Sequence, residues 1–287
     1  MTDTIIPVTS TASGIGKEVA PDLYSLTVQI VNVCFVGHPQ QADEWVLVDT
    51  GMPGSAERIV AVAAERFGTD KRPGAIILTH GHFDHVGAVR ELAEQWDVPV
   101  YAHEQELPYL TGRSDYPQPD GSVEGGLVAK LSPLFPNEGI DLGERIHKLS
   151  ADGTVPKLPG WRWIHTPGHT PGHVSLFREE DRALIAGDAF VTVRQDSLYK
   201  VIAQVEEING PPRYLTTDWQ AAWESVKQLA ALQPALAVTG HGLPMSGTQL
   251  SRGLEQLARE FDRVAVPDYG RFVKEERSET NEAEWIL

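Results

Sequence analysis

The stretch LTHGHFDHVGAV, residues 78–89, sets three histidines and an aspartate within six positions: His80, His82, Asp84 and His85. Residues two apart do not share a helix face, so this spacing excludes a helical metal site of the HExxH sort and requires a loop that turns around an ion. His80 and His82 can both reach one metal, whereas Asp84 and His85 project differently and suit a second ion close by. Three further motifs carry the same residue types. His169 in HTPGHTPGH (165–173), Asp188 in IAGDAF (185–190) and His241 in VTGHGLP (238–244) each come after an apolar strand-like run and stand beside glycine.

Working outward, GAIILTH (74–80) reads as a short buried strand that runs directly into the histidine cluster. Before it, LYSLTVQIVNVCFV (23–36) and EWVLVDTG (44–51) are rich in β-branched and apolar residues and end in turn formers, which predicts two or three strands. GSAERIVAVAAERFG (54–68) changes the period: Ile59, Val60, Val62 and Ala63 have helical spacing. A second helix is predicted at about 86–97, then the strand VPVYAH (98–103). A Gly/Pro-punctuated region from about 105 to 160 reads as irregular and inserted, a lid in which Tyr109, Tyr116, Leu131, Leu134 and Phe135 line an apolar wall. Beyond it come strands in GWRWIHTPGH, GHVSLFRE and RALIAGDAF, a helix near 217–232, the strand PALAVTGHG and a last helix at about 247–264. Strands and helices thus alternate in two halves of similar make-up, an α/β pattern that suits two sheets packed face to face with helices outside. Loops at strand ends can bring their side chains to one point while the sheets hold them rigid.

Composition bounds the function. A chain of 287 residues, 41% hydrophobic and 22% charged, without low-complexity tracts, reads as one globular domain. Its net charge of -16 repels phosphate backbones and anionic surfaces, so neither nucleic acid nor membrane is an expected partner. The N-terminus lacks the features of a secretory signal, and no apolar run reaches transmembrane length. Cys34, the single cysteine, sits in an apolar strand-like string and cannot form an internal disulfide, which fits a cytoplasmic location. SGIGK (13–17) lacks the spacing of a phosphate-binding loop and reads as a turn. The tail, about 266–287, ends in Trp285, Ile286 and Leu287, an apolar tip suited to packing on the body or on a second subunit of a homodimer.

Taken in order, VLVDTG, THGHFDH, TPGHTPGH, AGD and GHG resemble the metallo-β-lactamase-fold hydrolase superfamily over about residues 24–245, on its glyoxalase II and lactonase side. The resemblance implies a four-layer αββα sandwich of two mixed β-sheets with the site at the edge between them. It also implies two divalent ions per chain, zinc first and iron or manganese as competitors. His80, His82 and His169 would hold the first ion and Asp84, His85 and His241 the second, with Asp188 bridging. Asp49 would orient a ligand histidine, and His173 is expected to pack or support without binding metal. His165 is expected to end a strand, and His38, His103 and His147 to be surface or locally bonded.

The implied chemistry is hydrolysis of a small carboxylic ester, lactone or thioester by a bridging hydroxide, with Asp84 handling its proton. Departures from relatives narrow this. Asp188 stands where many true β-lactamases carry cysteine or serine, which argues against an antibiotic substrate. Residues 242–287 are short for the helical domain of glyoxalase II-like thioesterases. Val191 replaces a tyrosine found in homoserine-lactone lactonases, leaving Tyr199 or Tyr214 as substitutes. The alternatives are a mononuclear iron sulfur dioxygenase on the same fold, or a non-enzymatic metal-binding protein.

Overall fold

In the computed structural model, which describes residues 9–41 and 45–273, the apolar runs form two mixed sheets. The first holds β1 (Gly16–Ala20), β2 (Leu23–Val28), β3 (Val31–Val36), β4 (Val46–Val48), β5 (Ala75–Ile77), β6 (Val100–Ala102) and β7 (Ile146–Lys148), side by side in that order. The second is built from β8 (Trp161–His165), β9 (Val174–Arg178), β10 (Ala183–Gly187), β11 (Leu236–Thr239) and β12 (Met245–Ser246), in the order β12-β11-β10-β9-β8. The helices are α1 (Ala56–Phe67), α2 (Val89–Trp96), α3 (Leu107–Leu110), α4 (Gly126–Leu131), α5 (Leu198–Ala203), α6 (Trp219–Ala231) and α7 (Gly247–Val264).

Period-two alternation sorts these strands' side chains into layers. Val46 and Val48 of β4, Ala75 and Ile77 of β5, Val174 and Leu176 of β9, and Ala183 and Ile185 of β10 share one core between the sheets. The alternate residues turn outward. Leu47 and Ile76 meet Ile59, Val62, Leu92 and Trp96 of α1 and α2, while Phe177 and Leu184 meet Trp219, Val226, Leu254 and Phe261 of α6 and α7. Three stacked cores make the αββα sandwich. Cys34 lies in the middle one, and burial pushes its thiol pKa up.

The region 105–160 is more ordered than its punctuation suggests. Its β7 pairs in parallel with β6 and closes the first sheet, and Leu149, Val155 and Leu158 belong to the central core. The part outside the sheet runs from about 104 to 145, with α3 and α4 within it. Residues after α7 strap this part down: Arg271 donates its N–H to Asp120 and its guanidinium to the carbonyls of Gln118 and Pro119. The expected apolar tip, Trp285 to Leu287, lies outside the described residues. Among these no helix is long and apolar enough to cross a membrane.

Candidate metal centre

Five chain segments, each leaving the end of a strand, deliver the clustered side chains. The loop after β5 supplies His80, His82, Asp84 and His85; the β8–β9 loop supplies His169 and His173; residues just past β4, β10 and β11 supply Asp49, Asp188 and His241. All nine are buried. Three groups of them bring a donor atom each to within 4.8 Å of one another: His80, His82 and His169; Asp84, His85 and His241; and His80, His85 and Asp188. Asp188 faces both trios, with carboxylate oxygens 3.5 Å from His169 Nε2, 3.6 Å from His85 Nε2 and 3.3 Å from His241 Nε2. Only glycine fits beside it at position 240, where a Cβ would stand 2.1 Å from Asp188 Oδ1.

The donor atoms aim inward because their other ends are fixed. Asp49, in the left-handed region with φ 59°, accepts the Thr79 N–H at 2.8 Å, the Thr79 hydroxyl at 2.7 Å and His85 Nδ1 at 2.9 Å. A non-glycine residue held there costs of order 1–3 kcal/mol, sustained here by three hydrogen bonds. His241 Nδ1 meets the Ile30 carbonyl at 3.0 Å, and His169 Nδ1 the Thr216 hydroxyl at 3.3 Å. These contacts leave Nε2 of each ring facing the centre. His173 turns away: its Nε2 accepts the Asp188 N–H at 2.9 Å and its Nδ1 meets the Thr166 hydroxyl at 2.8 Å. His173 therefore holds the Asp188 backbone.

Several of the inward atoms are not satisfied within the protein. His80 Nε2, His85 Nε2, Asp84 Oδ1 and Asp188 Oδ1 are buried without a hydrogen-bond partner, and His82 Nδ1 faces His169 Nε2 at 3.0 Å. Buried polar atoms left this way cost several kcal/mol unless something coordinates them, and imidazole and carboxylate donors without thiolate suit a divalent metal. The residues fit such ions.

Electrostatics divides the trios. Burial, reinforced by neighbouring imidazoles, holds His80 and His169 well below the ordinary histidine value; burial pushes His82 down to about 4 and His173 to about 3. For His85 and His241 burial works the same way, but Asp188, Asp49 and Asp84 outweigh it. His85 rises well above its usual value and His241 to about 10. Asp84 and Asp188, despite burial, are held below the usual carboxylate range by His85 and His241.

The remaining histidines lie elsewhere. His38 and His147 are exposed, and His165 stacks on His103 with centroids 4.3 Å apart while its Nε2 meets the Pro171 carbonyl. Of the expected wall, Tyr116 packs on His82 at 4.6 Å, and Phe135 packs on Phe83 and on Tyr214. Leu134 points outward, 70% exposed. Sequence patterns did not single out Asn32, whose amide donates to the carbonyls of Thr239 and Gly242 around His241, nor Glu106, buried between the two histidine loops. Neither carries a local signal, since the contacts they make to the ligand loops reach 25 to 210 residues along the chain.

Residues 26–241 match the profile of the family described as the metallo-beta-lactamase superfamily. The chain belongs to that superfamily. It is 50% identical over 264 residues, 92% of this chain and all of the relative, to a protein of Bacillus subtilis (strain 168) named probable metallo-hydrolase YflN. A hydroxyacylglutathione hydrolase, GloC of Haemophilus influenzae, is 30% identical over half of this chain and 59% of its own. Among solved structures, TTHA1623 in a di-iron-bound form aligns with TM-score 0.53 and 27% identity, over 82% of this chain and 96% of that one.

Proposed function

We propose that this superfamily member is a dinuclear metal-dependent hydrolase of a small carboxylic ester, lactone or thioester. In this reading His80, His82 and His169 hold one ion, Asp84, His85 and His241 the other, and Asp188 serves both. The observation that carries it is the pair of donor trios sharing Asp188, with unpartnered atoms in each. Zinc suits these donors best, and iron or manganese would compete for them. Two divalent ions bound there would lower the pKa of a shared water toward neutrality and polarise a substrate carbonyl.

The chain's own residues do the rest. Asp84 offers one carboxylate oxygen to the second ion and keeps the other to take a proton from the attacking water and return it to the leaving group. Asp49 keeps His85 in the tautomer that offers Nε2. Between the two candidate tyrosines, Tyr199 is 75% exposed, whereas Tyr214 is buried within electrostatic reach of Asp84 and Asp188. Burial and those carboxylates keep its phenol protonated, a donor for the oxygen of the substrate. Phe83, between His82 and Asp84, packs ring against ring with Phe135 and Phe135 with Tyr214, an apolar group beside the ligands suited to a small, partly apolar acyl group. The buried Cys34 thiol, with no disulfide, suits the cytoplasm.

The test is metal analysis with a hydrolysis screen across lactones, aryl esters, thioesters and β-lactams. Close to two ions per chain and metal-dependent turnover of one of the first three classes are expected. One ion per chain after zinc saturation, or oxygen uptake with a sulfur substrate in place of hydrolysis, would contradict the reading.

A further inference from the structure

Glu106 belongs to neither trio, yet it is fully buried and all its bonding capacity is used. Its Oε2 accepts the Gly81 N–H at 3.0 Å and the Tyr116 hydroxyl; its Oε1 accepts the Thr170 hydroxyl at 2.7 Å and the Gly172 N–H at 2.8 Å. Gly81 separates His80 from His82, and Thr170 follows His169. One carboxylate therefore ties the loop leaving the first sheet to the loop between two strands of the second, and these loops supply the whole first trio. All four partners are donors. A carboxylate offers acceptor sites for all of them, whereas an amide would turn N–H groups toward two of them. The contact is close enough to require glycine at 172, where a Cβ would stand 2.7 Å from Glu106 Cγ. Tyr116 extends the clamp, its ring on His82 and its hydroxyl on the same carboxylate.

We propose that Glu106 is a positioning residue that fixes the spacing between the His80–His82 loop and the His169 loop, and thereby sets the metal affinity of that trio alone. The second trio receives none of its hydrogen bonds: His85 leans on Asp49 and His241 on Ile30. The proposal rests on the dinuclear reading above, but it is judged on a separate quantity.

The experiment is zinc titration of the metal-free, full-length protein against a competing chelator, resolving stepwise affinities for wild type, Glu106→Gln, Thr170→Val and Tyr116→Phe. Glu106→Gln is expected to weaken one step by about tenfold or more and to leave the other within about twofold. Thr170→Val and Tyr116→Phe, which each remove one donor, should weaken the same step by less. In an Asp84→Asn background, which cripples the second trio, Glu106→Gln should weaken the step that remains. Cobalt(II) absorption of that step should shift with it, a change that lowered fold stability alone would not produce. Equal loss in both steps, or unchanged affinities in a folded Glu106→Gln, overturns the proposal. Should Glu106→Gln not fold, the Thr170→Val/Tyr116→Phe double variant decides in the same way. A wild type that binds one zinc would overturn the dinuclear reading instead, and Glu106 would then be judged by its effect on that single step.

Discussion

The trio of His80, His82 and His169 and the trio of Asp84, His85 and His241 share one pocket but are built on opposite electrostatics. The first consists of imidazoles that burial keeps neutral, so its lone pairs are available at neutral pH. In the second, carboxylates hold His85 and His241 protonated well above the ordinary histidine range, so an ion entering there must displace protons. The scaffolds differ as well. The first trio spans two loops from different sheets clamped by Glu106, whereas the second leans on Asp49, Asp188 and the Ile30 carbonyl. Two ions bound as proposed would therefore differ in affinity and in pH dependence.

The comparison breaks most severely at Asp188, whose carboxylate faces both trios. Asp188→Asn removes the charge that offsets repulsion between two cations, so turnover should fall about a thousandfold or more and the second ion should be lost, with the first retained. Elemental analysis beside kinetics checks this; full occupancy with near wild-type turnover would show that Asp188 is not shared. Asp84→Asn attacks the second trio alone. Metal content should drop toward one ion per chain and turnover by about a hundredfold, while the first-step affinity stays within about twofold.

A smaller effect sharpens the contrast through pH. In metal-free protein His241, raised to about 10, contributes stability that is present below its unfolded value of 6.5 and lost as pH rises through about 10. His82 and His173, lowered to about 4 and about 3, do the reverse: their contribution is present above 6.5 and lost as pH falls through those values. Thermal melts in a chelator should therefore peak near neutral pH and fall on both sides. Zinc should flatten the alkaline side, where the second trio titrates; a metal-free profile that kept rising to pH 10 would contradict the assignment. The smallest effect belongs to His173→Asn. Loss of the acceptor for the Asp188 N–H should cost about 1–3 kcal/mol of stability, read from denaturant midpoints, and leave metal content near wild type.

These contrasts were only partly legible in the chain. The ligand residues announced themselves because His80, His82, Asp84 and His85 crowd into one loop while His169, Asp188 and His241 each follow an apolar strand and stand beside glycine, and α1, α2, α6 and α7 because each carries a full apolar stripe. Other elements have no such pattern. β7, Ile146–His147–Lys148, exposes His147 and Lys148 and is a strand only through its pairing with β6, so the surrounding region reads as an insert. β1 has no fully buried residue and β12 is two residues long, so alternation cannot reveal either. Gly16 and Lys17, within the stretch read as a turn, begin β1. Within the site, Glu106 sits among ordinary helical-turn residues in AHEQELPYL, and its importance arises from partners 10 to 66 residues away. Periodicity reports which face is buried; it is silent on which buried carboxylate joins two loops.

Calorimetric zinc titration of the metal-free protein, in buffers of different ionisation enthalpy, tests the proposed pair of unequal metal sites most directly. Near neutral pH the heats should resolve two steps per chain, one releasing roughly two protons more than the other as His85 and His241 give up theirs. Saturation at a single ion, or two steps with equal proton release, would contradict it.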